Sequence, residues 1–415
     1  MATLQYRVVP GRIGFWIALG FCWLLSLAGF GAGLYMRAYG HHVSGMTNQI
    51  VWGLPHVFAV FLIVAASGAL NVASIASVFG RSLYKPLARL SGLLAIALLV
   101  GGLWDLVLDL GRMAHILNAV IYPNFESIFA LNIYLYTGFM VIVGFYLWFM
   151  MARRLNHHSH KIGMVAFLWR LALTTGTGSI FGFLAARSAY DSALLAPLFI
   201  IMSFAFGLAI YLLVLITAFK VLDRPLGSKV VIRLKQLLTV FVAAVLYFVV
   251  VYHITNIYMA GNRGVEAFVL LHGGVYTDIF WYGQILVGGV IPLVILLSRY
   301  GRRIAGLATA SAGVVLGGLS QVYVIIIGGQ AYPLQLFPGM IVHSSFYDGV
   351  VNMYIPRWPE TLLAVSGLGV VGCIVLLGVR LLPFLPQSLA DSVVDVHGHR
   401  DAEAGVSDKA VVSSP

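Results

Sequence analysis

At 415 residues, with 60% hydrophobic and only 9% charged side chains, the chain is too apolar to close over one water-soluble core. Its net charge of +11 sits mainly in loops between apolar runs, so it reports topology and gives no reason to invoke nucleic acid. The two cysteines, Cys22 and Cys373, show no CxxC or CxxCH spacing, which excludes an iron–sulfur cluster, structural zinc or c-type haem built by this chain alone.

Ten apolar runs are long enough to cross the ~30 Å hydrocarbon layer. They lie at 14–36, 50–79, 87–110, 128–152, 164–186, 194–219, 234–259, 278–298, 304–327 and 361–384. The expected fold class is therefore all-α integral membrane protein. Lys and Arg accumulate on the cytoplasmic side of such proteins. Here Arg37, Arg112, Arg187, Arg263 and Arg357 fall on one side and the other basic residues, Arg170 counted among them, on the opposite side. Both termini are expected in the cytoplasm. The start of the chain shows no small-residue cleavage site before span 1 continues, so it reads as a retained helix.

Span 1 ends in GLYMRAYGHH, which sets Tyr35, Arg37, His41 and His42 at the outer surface, where Tyr and Arg are ordinary anchors. Span 2 opens WGLPH, with Pro55 in the first turn, where a missing N–H costs little, and His56 next to it. Deeper in span 2, Ser67, Asn71 and Ser74 share a face, either for helix–helix hydrogen bonds or as a polar route inward. Span 3 closes with Asp105, Asp109 and Arg112 on one face. That spacing predicts an Asp109–Arg112 ion pair, leaving Asp105 free to exchange a proton. Ionisable groups in an apolar span are costly and mark ion, proton or ligand sites.

Glu126 opens span 4, where a carboxylate meets a helix N-terminus favourably, followed by Asn132, Tyr134 and Tyr136. His157, His158 and His160 in the next basic loop read as surface residues. Span 5 leads to Arg187, Tyr190 and Asp191. Arg187–Asp191, Arg263–Glu266 and Arg357–Glu360 have ion-pair spacing, and with Arg112 they suggest an ordered, partner-facing outer surface. His253 and Asn256 end span 7; a b-type haem between His56 and His253 is disfavoured because the interior holds no further paired histidines. The long outer segment 328–360, with Tyr332, Pro333, His343, Tyr347, Asp348 and Trp358, exceeds what a connector needs. The polar tail 387–415 reads as disordered.

WG at Trp52–Gly53, LYKPLAR before span 3, DLGR at Asp109–Arg112, ARSAYDSALLAP after span 5, YIPRWPE before span 10 and RLLPFLP after it together resemble the NrfD/PsrC family of membrane subunits in its ten-helix form. NFESIFALNIYLYTGF and GSIFGFLAARSAYDSALLAP are most similar to its DsrP type, the membrane subunits of sulfite-reductase-associated complexes. The resemblance implies a membrane domain over 1–386, with one four-helix bundle at 50–191 holding a quinone site, a second at 194–327, and spans 1 and 10 outside them. It implies menaquinone or ubiquinone as the only cofactor, no haem or iron–sulfur cluster in this chain, and a quinone pocket at the periplasmic end of the first bundle. The partner implied is a periplasmic ferredoxin-like iron–sulfur subunit, with haem b, cytochrome c and cytoplasmic iron–sulfur subunits beyond it.

His56, Asp105, Asp109, Arg112, Glu126, Tyr134, Arg187 and Tyr190 converge on that location. A quinone site needs a donor at one oxygen and a titratable group at the other. The expected roles are His56 and Tyr134 at the oxygens, Asp105 exchanging the proton, Arg112 with Asp109 holding the geometry, and Glu126 relaying to water. The rival readings are a transporter-like or proton-translocating subunit, against which the acids cluster at one end rather than at the midplane, and a passive anchor.

Overall fold

The computed structural model of the chain describes residues 5–152, 154–334 and 350–393. His343, Tyr347, Asp348 and the tail beyond 393 lie outside the described residues. In hydrocarbon every backbone N–H and C=O must be satisfied within the segment, which leaves an apolar run little choice but helix. Ten such helices are present among the described residues: α1 Ile13–Tyr39, α2 Leu54–Ser77, α3 Ser82–Asp109, α4 Ile128–Met151, α5 Asn156–Gly182, α6 Leu195–Val221, α7 Ser228–Tyr258, α8 Val275–Leu297, α9 Ile304–Ala331 and α10 Trp358–Leu381. The protein is an all-α integral membrane protein. β1 (Tyr6–Arg7) pairs antiparallel with β2 (Leu385–Pro386), so the two ends meet on one face, called here the terminal face; the opposite one is the distal face.

Helices α2 to α5 close one ring of contacts and α6 to α9 a second. The seam between the rings is α2 against α6, and it exists because both helices carry glycine at the crossing. A Cβ on Gly68 would stand 1.6 Å from the Ser203 carbonyl oxygen, and one on Gly207 2.1 Å from the Ala69 nitrogen. Small residues at a crossing let backbones approach in lipid, where no hydrophobic force drives helices together. Helix α10 packs on α1, α2 and α3 rather than standing apart.

Several helices depart from regular α geometry. The hydrogen bonding of α2 breaks at Leu70. There the Ser91 hydroxyl of α3 accepts from the Ala73 N–H (3.1 Å) and donates to the Ala69 carbonyl (2.6 Å), bridging the break. In α8, Ile279–Val290 winds as a π-helix.

One basic residue changes place. Arg170, assigned by the sequence to a cytoplasmic loop, is fully buried inside α5. Its guanidinium donates to Asn71 Oδ1 (3.1 Å) and the Ser67 carbonyl (3.4 Å) and lies over the Phe167 and Phe204 rings. Ser67 also meets the Thr174 hydroxyl at 2.7 Å, so Ser67 and Asn71 tie α2 to α5, whereas Ser74 bonds within its own helix. Hydropathy missed Arg170 because the charge sits just past a basic loop and its partners are carbonyls, an amide and rings rather than an acid.

Candidate functional site

The distal end of α2 is held from several sides before any ligand is considered. The first N–H groups of a helix have no partner within it and must find one elsewhere. Here the N–H of Leu54 donates to the Tyr354 hydroxyl (2.7 Å), which in turn donates to Glu360 Oε2 (2.7 Å). Gln330, at the end of α9, accepts through Oε1 from the Val51 and Trp52 N–H groups, both at 3.0 Å, and donates through Nε2 to the Trp52 carbonyl. Arg187 forks onto the carbonyls of Gln49 (2.7 Å) and Gln330 (3.2 Å). The second ring thus clamps the segment that opens α2 in the first.

On this support the site residues separate. His56 Nδ1 lies 2.7 Å from Asp109 Oδ2, and the half-exposed His41 reaches the same residue, 3.9 Å from Oδ1 and 2.9 Å from its backbone carbonyl. The 2.7 Å contact is close enough for an ion pair, yet the ring N–H does not point along it, so Nδ1 counts among the buried atoms without a hydrogen bond. A small rotation of the ring would align it as a hydrogen bond. The His56 side chain is 18% exposed, enough for a ligand to touch it. Trp52 stacks near the imidazole at 6.0 Å and meets Phe129 and Phe181 at 6.1 and 5.8 Å, forming an aromatic wall shared by α2, α4 and α5.

Asp105 takes a different direction. It is fully buried against α10, its Oδ1 3.4 Å from the Ser366 hydroxyl and its Oδ2 without a hydrogen bond. Only glycine fits opposite, since a Cβ on Gly367 would come within 2.3 Å of Oδ2. The two aspartates share a helical face, but one meets the loop after α1 and the other meets α10.

The ion pair expected between Asp109 and Arg112 is not formed: Arg112 is exposed, and Asp109 faces the two histidines. The other expected outer pairs are not formed either among the described residues. Glu360 accepts from the N–H groups of Gly45 (2.6 Å) and Arg357 (2.7 Å) at the start of α10. Glu266 is buried and binds His253 Nδ1 (2.6 Å) and Asn256 Nδ2 (3.0 Å), while the Arg263 Nε donates to the Ile257 carbonyl. Asp191 is exposed. Spacing of three or four brings side chains together only along a continuous helix, and these residues sit at helix ends and turns.

Of the remaining candidates, Glu126 is exposed. The Tyr134 hydroxyl donates to the Val120 carbonyl (2.8 Å) and pins the connection between α3 and α4. The buried Tyr190 hydroxyl donates to the Ile326 carbonyl (2.7 Å), and its burial raises its pKa above the ordinary tyrosine range. Burial likewise lowers the pKa of Arg187. His41 was placed at the outer surface by the sequence but not joined to the site; the GHH pair directly after span 1 was the available signal.

Residues 42–333 match the family described as polysulphide reductase, NrfD. The chain is 27% identical over 378 residues to the Hdr-like menaquinol oxidoreductase integral membrane subunit of Archaeoglobus fulgidus, covering 90% of this chain and 94% of that one. It is 24% identical to a selenate reductase subunit of Mesobacillus selenatarsenatis over 83% of this chain and 88% of the relative. With a putative dimethyl sulfoxide reductase membrane subunit of Halobacterium salinarum the identity is 27%, over 92% and 94%.

Proposed function

From the chain's membership of the polysulphide reductase NrfD family, which the match over most of its spans establishes, we propose that it is the quinone-interacting membrane subunit of a multisubunit oxidoreductase. The observation that carries this reading is the His56–Asp109 contact beside the aromatic wall of Trp52. It supports a site at the distal face of the first ring, which we take as the periplasmic face because most Lys and Arg lie toward the terminal face. A quinol ring can lie against the aromatic side chains while one hydroxyl meets the His56 nitrogen that Asp109 does not occupy.

When a quinol is oxidised, two electrons and two protons leave it. The electrons pass to an iron–sulfur partner docked over the distal face. One proton passes to His56, for which Asp109 supplies the counter-charge, and half-exposed His41 offers the way out to water; the other leaves from the second hydroxyl to the same water. In quinone reduction the steps reverse. Proton transfer by a positioned side chain contributes about 10²–10⁴-fold.

This moves the proton-exchanging role from Asp105, which faces α10, to Asp109 through His56. Arg187 and Tyr190 support the site from below through the carbonyls they bind, and Glu126, Arg112 and Tyr134 line the approach at the distal surface. Sulfur-compound respiration is the metabolic setting we favour, from the DsrP-like segments. The test is Asp109→Asn in the assembled complex, followed as quinol-dependent reduction of the partner's clusters. A loss of about a hundredfold or more is expected; wild-type turnover in a normally assembled complex removes Asp109 from the mechanism.

A further inference from the structure

The second ring holds a polar centre that the quinone reading does not use. Its outermost member is Asn262 at the distal surface, whose amide donates to Asn256 Oδ1 at 3.4 Å. Asn256 donates to Glu266 Oε1 (3.0 Å), and Glu266 Oε2 meets His253 Nδ1 at 2.6 Å. Glu266 is only 3% exposed, so its oxygens find their partners within the protein.

Beyond His253 the chain of polar groups opens into a cavity whose wall is mainly aliphatic, with His253, Glu266, Tyr252, Gln284 and Gln321 as its polar members. It offers about 40 Å³ of room for water centres, against the roughly 10–15 Å³ that one buried water occupies on the same measure. A smaller cavity toward the midplane, about 20 Å³, shares Gln284 and Gln321. Gln321 is 2% exposed, and its Nε2 has no hydrogen-bond partner among the described residues. A buried amide donor left unmade costs ~1–3 kcal/mol; one that lines two neighbouring cavities large enough for water is placed to take a water as its partner.

The backbone supports the same view. The wide turns of α8 run over Ile279–Val290, the stretch that carries Gln284, and a second π-helical turn in α9, Val324–Gly328, follows just after Gln321. Such turns are rare and tend to accompany function.

We propose that the second ring contains a hydrated proton-exchange site of its own, in which the Glu266–His253 pair is joined through ordered water to Gln321 and Gln284. Protons reach it from the distal surface by water that passes beside Asn262 and Asn256, whose amides hold Glu266 in place, and the water extends the site toward the midplane. Of the other titratable or charged groups around it, Tyr252 faces Glu266 and Asn256 and donates its hydroxyl to the Ala189 carbonyl (3.0 Å), while Tyr190 donates to Ile326 and Arg263 to Ile257. The ligand is water and the exchanged species a proton, so no redox partner is required.

The test uses the full chain in lipid nanodiscs. Cryo-electron microscopy is expected to show ordered density within hydrogen-bond distance of Gln321 Nε2, and a dry cavity overturns the proposal. Infrared spectra recorded as pH is stepped are expected to show a carboxyl–carboxylate change that disappears in Glu266→Gln. An identical change in that variant means that the pair does not exchange protons and also overturns it. Should Glu266→Gln fail to fold, Gln321→Leu, close in volume and lacking the amide, serves instead. It is expected to shift the midpoint of the same band, and an unmoved midpoint counts against the water link. A purely structural role for Gln321 would leave that spectroscopic midpoint in place.

Discussion

In the first ring His56, 18% exposed, touches an Asp109 that has no second side-chain donor within hydrogen-bond distance among the described residues. In the second, His253, 14% exposed, meets a Glu266 that is also bonded to the Asn256 amide and lies beside a cavity. The same pair of residue types therefore serves two environments. A pair whose carboxylate has no further side-chain bond can trade a partner for a substrate, whereas one also bonded by Asn256 is suited to a proton or a water. What surrounds the pair decides its chemistry more than the pair itself.

The strongest way to break this comparison is within the first ring, by setting its two aspartates against each other. Asp109→Asn is expected to lower quinol turnover about a hundredfold or more, the scale of a lost acid–base group, while Asp105→Asn stays within a few-fold, measured on matched, fully assembled complexes. Equal losses would return Asp105 to the site.

The seam comes next, because it carries the clamp from one ring to the other. Gly207→Ala puts a Cβ 2.1 Å from the Ala69 nitrogen, and overpacking of this kind costs roughly 1–3 kcal/mol. A clear drop in thermal stability in detergent is expected, and an unchanged melting temperature would show that the two rings meet less closely.

Arg187→Lys sharpens the comparison at smaller scale. An ammonium cannot span the Gln49 and Gln330 carbonyls as the planar guanidinium does, and losing one such bond costs about 1 kcal/mol. The expected result is faster hydrogen exchange at Val51 and Trp52 with that of α8 unchanged.

The smallest effect lies on the terminal face, far from both pairs. Asp391 Oδ2 accepts from the Ser228 hydroxyl (2.7 Å) and Oδ1 from the Lys229 N–H (3.0 Å) at the start of α7. The Ser228 bond first, and the nearby N–H groups after it, lower the Asp391 pKa. A depressed folded-state pKa gives stability that is present above the ordinary aspartate value of about 3.9 and lost as pH falls through the lower folded value. Hydrogen exchange at the Gly227–Leu389 contact should therefore quicken only under strongly acid conditions, and already at neutral pH in Asp391→Ala.

The spans were legible because lipid leaves apolar runs no alternative to helix. Their ends were less so: α5 begins at Asn156, well before its apolar run, since His and Lys at the interface continue the helix without adding hydropathy. Arg170 was hidden by the same loop, and its amide and aromatic partners carry no spacing signal. The histidine, the aspartates and the tryptophan of the distal end were all visible as residues. Their partnerships were not, because helical spacing fixes which side chains share a face and leaves open which neighbour that face meets. Asp105 and Asp109 differ only in whether α10 or the α1–α2 connection lies opposite, and that depends on a segment more than two hundred residues away or on the loop before α2.

The central claim, that the reactive end of this protein is the His56–Asp109 pair and not the His253–Glu266 pair that Asn256 also bonds, is tested most directly by titrating a fluorescent hydroxyquinoline N-oxide quinol analogue into the full chain in nanodiscs. His56→Ala is expected to weaken binding at least about tenfold, which is ~1.4 kcal/mol, and His253→Ala to leave it within about twofold. Unchanged affinity in His56→Ala, or an equal loss in His253→Ala, would contradict the account.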